Sequence, residues 1–97
     1  MPTYVVLFNW TGQGIRNVRD TVDRYDRSTE LAEKHGVSLE QIYWTVGPYD
    51  IVGIAEASDD ESISAFCLEL SSAGNLRTTT LRAYDREEMS SVLQRLG

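Results

Sequence analysis

Cysteine, histidine and lysine occur once each in this chain, as Cys67, His35 and Lys34. One cysteine cannot close an internal disulfide, which excludes a disulfide scaffold. One histidine excludes a metal centre built from histidines, since carboxylates or a second chain would have to complete it. Neither a metal nor a cofactor is expected. No apolar run approaches the ~20 residues of a membrane span. The start, Met1-Pro2-Thr3-Tyr4, lacks the basic segment and apolar stretch of a secretory signal. A soluble cytoplasmic protein is expected, with no membrane partner. The nine Lys and Arg residues are scattered and outnumbered by 15 Asp and Glu, for a net charge of −6. Nucleic-acid binding needs clustered cations, so no nucleic-acid partner is expected.

What is present reads as one small globular domain over residues 1–97. The 41% hydrophobic and 25% charged residues are ordinary for such a domain. A folded chain of this mass exposes roughly 5,600 Å² and buries about 65% of its unfolded surface.

Thr3 to Trp10 (TYVVLFNW) is β-branched and aromatic and predicts a strand. After the punctuation Thr11-Gly12-Gln13-Gly14, the residues Ile15, Val18, Val22, Tyr25, Thr29 and Ala32 recur at helical spacing. They predict one long amphipathic helix ending at His35-Gly36. Glu40 to Val46 and Ile51 to Ala57 predict two strands joined by the turn Gly47-Pro48-Tyr49-Asp50. Ser58 with Glu61 reads as a capping box for a second helix bearing Ile63, Phe66, Cys67 and Leu70, stopped at Gly74-Asn75. Leu76 to Tyr84 predicts a fourth strand. Asp85 with Glu88 opens a short last helix carrying Met89, Val92, Leu93 and Leu96.

The order βαββαβ plus a terminal helix predicts an α+β fold. It is a ferredoxin-like split βαβ with an antiparallel sheet in order 4-1-3-2 and both main helices on one face. The central strands, however, are apolar on both faces. Tyr4, Val6 and Phe8 alternate with Val5 and Leu7, and Ile51, Gly53 and Ala55 with Val52 and Ile54. An antiparallel sheet with one wet face alternates polar and apolar residues. A second copy of the chain is the expected cover, with two sheets meeting face to face.

The stretch WTVGPYDIVGIAEASDDESISAF, around the G-x-Y-D turn, resembles the signature of the GYD-domain family. GNLRTTTLRAY (residues 74 to 84) is similar to that family's final strand, and the opening strand with TGQGIRNVRDT is compatible. Trp10, and Ser58 where proline is expected, depart from the pattern. The resemblance implies membership of the dimeric α/β-barrel superfamily, in which two subunits pair ferredoxin-like sheets. Relatives there include cofactor-independent monooxygenases, lactone isomerases, haem enzymes and amino-acid-sensing domains, so fold kinship does not choose a function.

In this topology the first two strands end at the upper edge, where Asn9, Trp10, Tyr49, Asp50 and Arg77 are expected to gather as ligand-binding candidates. The first helix's N-terminus suits a carboxylate or phosphate, with Arg77 as counter-charge and Trp10 and Tyr49 as walls. The same turn residues also serve a purely structural turn. Thr11 reads as an N-cap. The lower edge supplies His35, Glu56 and Arg82 as secondary candidates. Glu56 is either a buried acid or base or, as favoured, the ion-pair partner of Arg82. Cys67 reads as a small core residue. Taken together, these residues predict a homo-oligomer that binds a small-molecule ligand or acts through assembly. The alternatives are a cofactor-independent monooxygenase or isomerase on a small aromatic or polyketide-like substrate, needing a pocket of roughly 300 Å³, and a ligand-sensing module.

Overall fold

Thr3–Trp10 forms β1, the central strand of the computed structural model, which describes all 97 residues. Its even residues Tyr4, Val6 and Phe8 are buried to 2%, 0% and 3% exposure, and its odd residues Val5 and Leu7 are half-buried. The two-residue alternation of a strand produces this division. β2 (Val37–Trp44), β3 (Ile51–Ala57) and β4 (Leu76–Ala83) complete one antiparallel sheet in the order β2-β3-β1-β4, the expected topology.

The single long helix expected from Ile15 is not formed. The chain makes α1 (Gly12–Arg16), a 3-10 turn (Val18–Asp20) and then α2 (Thr21–Lys34). Asn17 causes the break. Its backbone N–H caps α1, and its side-chain amide donates to the Gln13 carbonyl at 3.1 Å, a local bond that competes with helix continuation. The turn shifts the helical phase, so Ile15 and Val22 are 51% and 57% exposed instead of buried. The inner face of α2 carries buried Ala32 with half-buried Tyr25, Ser28 and Leu31.

α1 is pinned where Thr11 caps it. The Thr11 hydroxyl accepts from the Gly14 N–H at 3.0 Å and donates to the Gly74 carbonyl, and the Thr11 N–H donates to the Asn75 carbonyl at 3.1 Å. A Cβ on Gly14 would lie 2.0 Å from the Asn75 oxygen, so only glycine allows this approach.

β2 begins three residues earlier than expected and ends two earlier. Gly36, at φ +71°, reverses the chain directly after α2, and Val46 projects into solvent. A bulge between Leu39 and Gln41 resets the alternation, turning both Leu39 and Ile42 toward the helices. α3 (Asp60–Ser72) starts one residue later than the expected cap. Asp59, not Ser58, accepts from the Ser62 N–H at 2.8 Å, because the third residue after Asp59 is the one whose amide is free. Ile63, Phe66 and Cys67 of α3 close the core over β1 and β3.

α4 (Arg86–Leu93) opens on the expected capping box of Asp85 and Glu88. It stands off the domain, and Met89, Val92, Leu93 and Leu96 are all exposed. The sheet face opposite α2 and α3 therefore stays open. Across it Val5 lies between Ile54 and Leu81, and Leu7 between Val52 and Thr79. The chain exposes 6473 Å², roughly 900 Å² more than a monomer of its mass.

Candidate functional site

The G-x-Y-D turn is fastened to the upper end of β1. The Asp50 N–H donates to the Phe8 carbonyl at 2.9 Å, and the Asp50 carboxylate accepts from the Trp10 N–H at 2.9 Å. The Asn9 amide donates to the Pro48 carbonyl at 2.8 Å, and the Thr45 hydroxyl to that of Tyr49. Asp50, the residue just before β3 begins, thus satisfies the last amide of β1, a bond that would otherwise be left unmade. Tyr49 is partly exposed at the turn.

Strand alternation divides the five upper candidates. Asn9 and Arg77 face each other on β1 and β4, on the open side of the sheet, while Trp10 points to the helix side opposite Leu76. The expected anion seat at the first helix is taken up by the Thr11 cap and the Asn75 carbonyl.

Trp10 instead leads into a cavity of about 280 Å³ between the upper sheet and helices α2 and α3. Its walls are Phe8, Trp10, Tyr25, Leu31, Ile42 and Trp44, and Phe66 also lines it. Tyr25 and Trp44 meet edge to face at 6.0 Å, and the Trp44 indole N–H donates to the Thr21 hydroxyl at 3.1 Å, which ties this wall to α2. Of the upper candidates Trp10 alone lines the cavity. Tyr25 keeps the inward position read from the apolar stripe, whereas Arg24, Trp44 and Glu69 were not singled out from sequence. The signal for Arg24 is hidden by the break at Asn17. That for Trp44 lay in plain view, since β1 and β2 both run upward and both end in tryptophan.

At the lower end the expected Glu56–Arg82 ion pair is replaced by another. Alternation sends Glu56 to the open face beside Thr3, and Arg82 to the helix side opposite Tyr4. Arg82 pairs with Glu88 at 3.3 Å, stacks over Tyr84 at 4.7 Å, and donates to the Thr3 and Ala83 carbonyls. It ties the base of α4 to the sheet. His35, the C-cap of α2, turns to α3, with Nε2 at 3.3 Å from Glu69. That contact, reinforced by Lys34, holds the Glu69 carboxyl below its ordinary range. Burial raises the Cys67 thiol, which fits a core residue.

The Tyr4 hydroxyl donates to Asp60 at the start of α3, and this bond, then burial, pushes its pKa up to about 12 from 10.0. The folded chain holds this proton more tightly than the unfolded chain does. The resulting stability is intact below pH 10 and is lost as pH rises toward about 12. Urea titrations across that window are expected to show stability falling in the native protein and falling less in Tyr4→Phe. Equal slopes would contradict the assignment.

No three His, Cys, Asp or Glu side chains come together as a metal site. No helix is long and apolar enough to cross a membrane.

A family model described as the GYD domain matches residues 4–93. The glutamine synthetase and cystathionine beta-lyase binding protein of Thermus thermophilus is 34% identical over 84 residues, covering 86% of this chain and 88% of that one. Among solved structures, TTHA0845 from Thermus thermophilus superposes with a TM-score of 0.55 at 26% identity, over 89% of this chain and 100% of that chain. MtbAldR superposes with a TM-score of 0.67 at 15% identity over 88% of this chain, which spans 52% of that one, and the likeness shows the fold alone. With its G-x-Y-D turn tied to β1 and a family match that runs from the first strand to the last helix, the chain belongs to the GYD-domain family.

Proposed function

We propose that the chain works as a self-paired binding protein, two copies joining their sheets face to face into an α/β barrel. The observation that carries this is the open sheet face, with Val5, Leu7, Val52 and Ile54 half-buried and nothing of the same chain above them. The surplus exposed area of roughly 900 Å² supports it, since a stable interface takes about 800 Å² from each partner. The pair would bind other proteins, as the name of the Thermus thermophilus relative says of that protein. An acidic pair with two projecting α4 helices suits such docking better than it suits a polyanion.

A cavity of about 280 Å³ keeps a small-substrate monooxygenase or isomerase as the second reading. Asn9, Tyr49, Asp50 and Arg77, the polar residues named for that chemistry, lie outside its wall. Binding is therefore the reading preferred.

Sedimentation velocity across micromolar concentrations tests the pairing. The expected species has twice the mass of one 10.9 kDa chain. A single-chain species throughout would refute the proposal.

A further inference from the structure

The cavity beneath α2 and α3 has walls that are aromatic and aliphatic, so its occupant needs an apolar body. Several of its polar groups are already engaged. Ser28 donates to the Arg24 carbonyl at 2.8 Å, Thr21 accepts from Trp44, and the Asn75 side-chain oxygen accepts from Gln13 at 3.0 Å. Glu69 is engaged by His35 and Lys34. Two side-chain atoms of the wall are buried and unpartnered. They are the Trp10 indole Nε1 and the Arg24 Nη2.

Buried N–H groups without acceptors are rare and costly, and a guanidinium more so than an amide. Both of these groups are donors only. Arg24 is not a loose surface arm, because its Nη1 is fixed on the Asn17 carbonyl at 2.7 Å. The break in the helix at Asn17, which displaced the expected apolar stripe, therefore also sets the position of this guanidinium. Arg27 adds a second positive charge to the wall of an otherwise acidic protein. The one carboxylate in the wall is already in contact with Lys34 and His35, which leaves the wall's charge balance positive.

We infer that this cavity binds a small organic anion, a carboxylate on an aromatic or branched apolar body, with the carboxylate accepting from Arg24 and the Trp10 indole. A volume at the small end for ligand pockets limits the body to about one ring or its aliphatic equivalent. Both side chains line the same cavity, and each offers a donor without a partner to a ligand seated there. The inference stands on the helix side of the sheet and does not depend on pairing through the opposite face.

Three isosteres separate charge recognition from apolar filling: 3-phenylpropionate, 3-phenylpropionamide and 3-phenylpropylamine, titrated calorimetrically into the full chain. The carboxylate is expected to bind at least about tenfold more tightly than the amide, and the amine not to bind. Arg24→Gln is expected to abolish the preference for carboxylate over amide. Trp10→Phe, which removes the indole N–H and keeps an aromatic wall, is expected to weaken the carboxylate several-fold and the neutral amide by less. Should Arg24→Gln fail to fold, the Trp10→Phe comparison decides alone. Equal binding of all three compounds, no carboxylate binding at millimolar concentration, or a carboxylate preference left undiminished in both variants would overturn the inference. Sedimentation of the same samples reads pairing separately, so loss of one result does not carry the other with it.

Discussion

Phe66→Ala is expected to lower the stability of the domain by about 3–5 kcal/mol. Phe66 is the largest side chain in the molecule with no exposure at all, and it sits where α3 closes over the sheet. It also lines the cavity, so truncation enlarges an existing space. A domain of this size has about 5–15 kcal/mol in total. The variant should therefore melt at least roughly 12 °C lower, followed by circular dichroism. A loss below about 1 kcal/mol would mean that the core packs elsewhere than around Phe66.

Val5→Lys is expected to prevent the proposed pairing of two chains without unfolding them. Val5 stands at the centre of the open face, flanked by Ile54 and Leu81. A two-fold interface presents the same patch twice, so one substitution buries two like charges. Each unpaired buried charge costs several kcal/mol, which weakens association by on the order of a thousandfold. In the isolated chain the same lysine meets water and disturbs little. Sedimentation of Val5→Lys should show one chain where the parent shows two, with the far-ultraviolet spectrum retained. A variant that stays paired would show that the sheets do not meet there.

The sheet was legible because strand pattern and topology are short-range matters. β1 and β3 have the expected ends, and their two-faced apolar pattern is present as read. The capping residues Thr11 and Asp85 were legible for the same reason, since a cap involves only the next turn of chain. Spacing misled at Asn17. Six apolar or small residues matched a single helical period, and the period carried no sign that an amide would bond the Gln13 carbonyl and end α1. The bulge at Leu39 was hidden in the same way, because a bulge answers to its partner strand.

The site was less legible than the fold. Asn9, Trp10, Tyr49, Asp50 and Arg77 do gather at the upper end, as topology requires. Which face each one serves depends on register, and a one-residue step sends neighbours such as Asn9 and Trp10 to opposite sides of the sheet. The same step separates Glu56 from Arg82.

The sequence by itself determined a small acidic domain, its strand order, and a sheet apolar on both faces, since these follow from local pattern and from the few topologies a βαββαβ chain can take. Only the tertiary structure decided that α4 leaves the second face uncovered, that the Asp50 carboxylate closes the turn onto the Trp10 amide, and that Trp10 and Arg24 share one cavity. The physical reason is distance along the chain. Trp10 and Arg24 are brought to one wall by a helix break and a sheet register, neither of which a linear spacing encodes.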